Sequence, residues 1–162
     1  MSDIITDGKT KVWEVPAIAD VTAPTVTELD AGQQLENRMT PDGLAGFEPE
    51  TADVDNTALS STFDTRLPGR ASWSNTQLIL KKQSGTDEVY DTLVRDYDTH
   101  IVVRRGTNAS DAWAADDEVE VYPVRCGQVS NNPPEANSVQ RYTVPVKVTG
   151  DPEIRAVVTT AA

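Results

Sequence analysis

The chain has 162 residues but only one cysteine, one histidine, two phenylalanines and two methionines. The lone Cys126 excludes an intrachain disulfide, and no Cys/His cluster has the spacing of zinc ligands. Large aliphatic side chains are also scarce. Eight Leu, six Ile, 19 Val and two Phe make up about a fifth of the chain, near the level where compact folding fails. The core is therefore expected to be lean or completed by a neighbour. Lys and Arg number 14 against 26 Asp and Glu, and the formal charge of −12 speaks against a basic groove that grips phosphates. No run approaches the roughly 20 apolar residues of a membrane span. The stretch from Met1 to Gly8 lacks the basic and apolar segments of a signal peptide. These features read as a soluble protein made in a reducing cytoplasm, with residues 1–162 forming one domain.

What the sequence does have is Val and Thr, 19 of each, and β-branched side chains suit a pleated surface better than a helix. Lys9 to Val15 alternates, with Val12 on one face and Trp13 and Val15 on the other, until Pro16 ends the strand. Pro24 suits the first position of one helical turn within residues 20–29. Gln33 to Met39 reads as a short strand closed by a turn at Thr40-Pro-Asp-Gly43, and Leu67-Pro-Gly-Arg70 reads as another turn. Arg70 to Gln83 is one long extended run that bends or spans two interfaces. His100 to Arg105 is apolar on both faces and is placed centrally in a sheet. In Glu118 to Cys126, Val119 and Val121 face one way and Glu118, Glu120 and Tyr122 the other, so one face is acidic and wet. Tyr142, Val144, Val146 and Val148 share a face of a further strand, and a last strand covers Ile154 to Val158.

One clear helix is expected over about residues 86–96, where Val89, Tyr90, Leu93, Val94 and Tyr97 recur at helical spacing behind a cap at Ser84 or Thr86. It should close one open face of a sheet. Between Thr40 and Thr65 there are six carboxylates, no Lys or Arg, and few large apolar residues. That composition cannot bury itself, and the segment reads as a long projecting arm or hairpin (about 40–66) in preference to disorder. The fold class is thus mainly β: a β-sandwich or open β-barrel with one flanking helix and an acidic arm.

Chemistry finds little to use. Nucleophilic catalysis needs a nucleophile within reach of a base. The only histidine, His100, reads as a strand-end residue, and Cys126 reads as an inert thiol in a Val-rich strand. Asp53 to Asn56 opens like a calcium loop, but Ala58 and Asp64 stand where such a loop needs Gly and Glu. Glu118 and Glu120, two apart on a strand, share a solvated face. No active site, cofactor or metal is expected, and the chain does not read as an enzyme.

Six fragments taken in order resemble the major tail tube proteins of long, flexible-tailed bacteriophages, particularly those infecting actinobacteria. They are Asp7-Gly-Lys-Thr-Lys-Val-Trp13, Pro24-Thr-Val-Thr-Glu-Leu-Asp-Ala-Gly32, Thr62-Phe-Asp-Thr-Arg-Leu-Pro-Gly-Arg70, His100-Ile-Val-Val-Arg-Arg-Gly106, Ala112-Trp-Ala-Ala-Asp-Asp-Glu-Val-Glu-Val-Tyr-Pro-Val124, and Tyr142-Thr-Val-Pro-Val-Lys-Val148. The resemblance covers most of the chain and brings no catalytic residues with it.

It implies a virion structural protein that is made in the host bacterial cytoplasm. Six copies would form a ring, and rings would stack into a tail tube with tape-measure, tail terminator and baseplate proteins as further partners. Double-stranded DNA would pass through the lumen without specific binding, because an acidic wall prevents the phosphate contacts that hold proteins on DNA. Glu118 and Glu120, with Glu36, are the expected lumen carboxylates. Asp53, Asp55 and Asp64 on the arm, and the basic Arg66, Arg70, Arg104 and Arg105, are the expected inter-subunit contacts. A β-sandwich binding module or a capsid decoration protein is the rival reading, although Trp13, Trp73 and Trp113 are too scattered to form a ligand platform.

Overall fold

The computed structural model describes residues 1–160. In chain order the elements are β1 (Thr10–Val15), α1 (Val26–Asp30), β2 (Gln33–Gln34), β3 (Met39–Ala45), β4 (Glu50–Asp55), β5 (Arg66–Ser72), β6 (Gln77–Lys81), α2 (Glu88–Thr92), β7 (Asp98–Arg105), β8 (Glu118–Cys126), β9 (Ser130–Asn131), β10 (Arg141–Val148) and β11 (Glu153–Val157). Nine strands form one antiparallel sheet in the order β2-β1-β7-β8-β10-β6-β3, with β11 added to β8 and β9 to β10. The sheet curls into an open half-barrel. Strands β4 and β5 form a separate two-stranded hairpin.

Strand β7 is central, as its two apolar faces predict: it pairs with β1 along one edge and β8 along the other. Ile101 and Val103 point into the larger core, which fills the hollow with Leu78, Leu80, Tyr142, Val144 and Val146. Val102 points the opposite way, into a second cluster with Val15, Val119, Val121 and Ala156. Leu29 of α1 belongs to that second cluster. Helix α1 opens with a capping box, in which the Thr25 side chain accepts the Glu28 backbone N–H and the Glu28 carboxylate accepts that of Thr25.

The second helix lies within the expected segment but is short. Its N-cap is Asp87, whose buried carboxylate accepts the Tyr90 and Gln83 backbone N–H groups and pairs with Arg38 at 3.0 Å. Val89 and Leu93 reach the core, while Val94 is left exposed beyond the helix. Tyr97 is drawn away to donate its hydroxyl to buried Glu14 at 3.1 Å.

Both sequence-predicted turns are instead parts of strands. Thr40 to Gly43 lies in β3, where pairing with β6 shifts between Met39 and Leu44. Gly43 is needed there, since a Cβ would come within 2.5 Å of the Ile79 carbonyl oxygen. Leu67 to Arg70 lies in β5, where Pro68 faces Asp53 beside a second shift in register. A two-stranded hairpin has two edges, and an edge tolerates a residue without an N–H. The run from Arg70 to Gln83 breaks between Ser72 and Gln77, so its two halves join different sheets.

The loop between β7 and β8 is held by two buried cations. Arg104 donates to the carbonyls of Asn108, Asp111 and Ala112, each at 2.9 Å, and pairs with Asp117 at 2.7 Å. Lys11 donates to the Asp111 carbonyl at 2.7 Å and lies 4.9 and 4.6 Å from the ring centroids of Trp13 and Trp113. The two indoles meet edge to face at 5.8 Å. Burial holds the Lys11 ammonium below its ordinary pKa, and the neighbouring Arg104 adds to the effect. Replacing Arg104 with Ala removes the side-chain donor of the Asn108 and Ala112 carbonyls and the buried cation that pairs with Asp117. The expected loss is about 3–5 kcal/mol of unfolding free energy, read by urea denaturation; a loss below about 1 kcal/mol would show that the clamp is dispensable.

Candidate assembly surfaces

The sequence-predicted residues fall into three places. Glu36, Glu120 and Arg105 come together at the open mouth of the half-barrel, around a cavity of about 870 Å³ that Val12, Met39, Leu44, Phe47 and Tyr122 also line. Adjacent strands bring two of them into register, since Val103 faces Glu120 across β7 and β8 and Arg105 is two residues further on. Arg105 reaches the Glu120 carboxylate with Nε at 3.1 Å and Nη2 at 3.4 Å. The buried Tyr122 hydroxyl donates to the same carboxylate at 3.1 Å, and burial, followed by the Glu120 charge, raises the phenol's pKa. Glu36 accepts the Val12 backbone N–H at 3.3 Å and the Gln34 side-chain amide at 2.7 Å. Glu118 is exposed at the start of β8.

The hairpin carries the second group. Every residue of β4 is exposed, and Arg66 pairs with Asp53 across the two strands at 3.5 Å. Asp55 caps the turn at Thr57, whose hydroxyl and backbone N–H lower the carboxyl's pKa. Asp64 and Arg70 are exposed. Arg104 is 1% exposed, and its guanidinium is engaged within its own chain. Strand alternation explains this, because residue 104 shares the face of Val102 and so points under the loop that ends at Asp117.

Two features carried less signal in the sequence. The exposed apolar residues Leu59 and Phe63 stand in the turn of the hairpin, and they are conspicuous only as large side chains within a polar, acidic stretch. The cavity itself is assembled from segments far apart in the chain. His100 is half-buried, with its pKa lowered by burial. Among the described residues, no three His, Cys, Asp or Glu side chains are placed to hold a metal ion.

A family model described as phage tail tube protein matches residues 1–161. No curated protein matches the chain by sequence. Among solved structures, a chain from a cryo-EM structure of the anti-feeding prophage baseplate, six-fold symmetrised, superposes with a TM-score of 0.63 at 8% identity. The match covers 96% of this chain and 98% of that one, a likeness of fold.

The buried Cys126 thiol is pushed up to about 12, first by burial and then by the charges of Glu14 and Asp98. At pH 8 the folded chain is expected to resist iodoacetamide, and the urea-unfolded chain to be alkylated fully. Equal labelling of both would contradict this placement of the thiol.

Proposed function

From the premise that the chain belongs to the phage tail tube protein family, a structural component of the virion tail, we propose that it polymerises as stacked six-membered rings into the tube of a long, flexible tail of the actinobacteriophage kind. The observation that carries this reading is the family match over nearly the whole chain. The open half-barrel supports it, because an unclosed sheet with a protruding hairpin offers edges and faces for neighbours to complete. Contacts of one surface with a different surface propagate along an axis and give a filament. The number six follows the symmetry named for the baseplate neighbour.

In this reading residues 1–162 act as one tail-tube unit, and the hairpin is the arm that reaches another subunit. Its Asp53, Asp55, Asp64, Arg66 and Arg70, together with Arg105 at the mouth, supply the polar part of that contact. The channel is acidic and lets double-stranded DNA pass without counterion-releasing phosphate contacts. Glu118 is exposed, and Glu36 and Glu120 are half-buried at the rim of the mouth; in this reading all three turn to the channel. Assembly takes place in the host cytoplasm, around a tape-measure protein and between terminator and baseplate proteins.

Negative-stain electron microscopy of the purified chain tests the proposal directly. Rings or tubes with a central hole are expected; a chain that stays monomeric at high concentration overturns it. Arg70 is exposed and belongs to neither core. Arg70→Glu is therefore expected to shorten or abolish tubes while leaving the thermal unfolding midpoint within about 2 °C, since a surface change away from special features stays within about 0.5 kcal/mol. Unchanged tube length and yield would remove Arg70 from the interface.

A further inference from the structure

The cavity at the mouth of the half-barrel joins two surfaces of opposite character. Its floor is apolar and aromatic: Val12, Phe47 and Tyr122 are buried, Met39 and Leu44 partly so, and the Phe47 and Tyr122 rings meet edge to face at 4.9 Å. Its rim carries the carboxylates of Asp7, Glu36, Glu48 and Glu120 against the single guanidinium of Arg105. The rim is therefore short of cations.

Two of these carboxylates are committed within the chain. Glu120 is held by Arg105 and the Tyr122 hydroxyl, and Glu36 accepts the Val12 N–H and the Gln34 amide. Asp7 and Glu48 are exposed, and neither takes part in a side-chain hydrogen bond or ion pair among the described residues. The charge of Glu48 is nonetheless felt at the floor, where after burial and the Glu120 charge it too raises the pKa of the Tyr122 phenol.

This arrangement selects among cations. A metal ion needs several ligands converging on one point, and among the described residues no three His, Cys, Asp or Glu side chains do so. A hydrated inorganic ion also gains nothing from an apolar floor. An aliphatic polyamine has the complementary pattern, with ammonium groups set apart by methylene segments, so that hydrocarbon covers apolar surface while each charge stays at the wet rim. Alkylammonium groups are also drawn to aromatic rings. A space of about 870 Å³ suits a small molecule held mainly by apolar walls and fixed by a few polar groups.

We propose that the mouth is a binding site for a linear aliphatic polyamine, its methylene chain lying across Leu44, Phe47 and Tyr122 and its ammonium groups meeting Asp7 and Glu48 at the rim. Glu36 and Glu120 add to the negative field. The inference goes beyond the tube reading and does not rest on it, because every residue of the site belongs to one chain.

Isothermal titration of the dilute full chain with spermidine tests the site, at about 0.1 M ionic strength, where exposed charges more than about 10 Å apart are largely screened. One spermidine per chain is expected, together with a raised unfolding midpoint. A chain of charge −12 attracts any polycation, so the variants carry the decision. Asp7→Ala with Glu48→Gln is expected to raise the Kd about tenfold, since two exposed charge pairs are lost. Asp91→Ala with Glu88→Gln removes two exposed carboxylates of α2, away from the mouth, and is expected to leave the Kd within about twofold. Magnesium is expected to compete no better than sodium at the same ionic strength. Equal weakening by the two double variants, or displacement by magnesium, reduces the binding to general attraction and overturns the site. Absence of both heat and a midpoint shift at millimolar spermidine overturns it as well, and leaves the mouth to a lysine-bearing segment of another protein.

Discussion

Both hydrophobic clusters draw on the same three adjacent strands, β1, β7 and β8, with β7 in the middle. Strand β7 sends Ile101 and Val103 into the hollow of the half-barrel and Val102 into the packing beneath α1 and β11, so it is buried on two faces and paired on two edges. A chain poor in large aliphatic residues has little choice but to let two cores share a sheet in this way. The sharing sets what remains. Once Leu78, Leu80, Val144 and Val146 have filled one end of the hollow, the mouth is left with a cavity between β1 and β3, and the sheet does not close. The open form of the fold is thus a consequence of composition as much as of topology.

The strands with clean alternation were legible before any coordinates. The central position of β7 and the opposed faces of β8 follow from period-two patterning, because each side of a buried sheet must be apolar. Misreadings clustered at Pro and Gly. Thr40 to Gly43 and Leu67 to Arg70 have turn composition, yet each lies in a strand beside a shift in pairing, where the partner strand absorbs the irregular residues. Local sequence does not distinguish a bulge from a turn, since the difference lies in what stands across the ladder. The helix over 86–96 was overextended for a related reason: Asp87 has its carboxylate committed to Arg38 and to two backbone N–H groups, contacts that no local window contains. The meeting of Glu36 with Glu120 was equally out of reach, because residues 84 apart converge only through the order of the strands.

Charge counting also understates the acidity of the surface. Lys11 and Arg104 are 4% and 1% exposed, and their positive charge is spent on carbonyl oxygens, indole faces and Asp117 inside the molecule. Several outer cations are matched locally, as Arg125 is by Asp98 at 2.7 and 2.8 Å, an arrangement that keeps the Asp98 carboxyl below its ordinary pKa. Glu118, by contrast, is exposed and has no ion pair among the described residues. Withdrawing cations into the fold acts on the outer field in the same direction as adding acids to the surface.

Burial also separates folding from assembly. Neither cluster includes a residue of β4 or β5, so the free energy that holds the half-barrel together does not depend on the hairpin. The hairpin, in turn, has no packed face until something covers Val54, Leu67, Leu59 and Phe63. The half-barrel thus rests on its own two clusters, and the hairpin stands outside both.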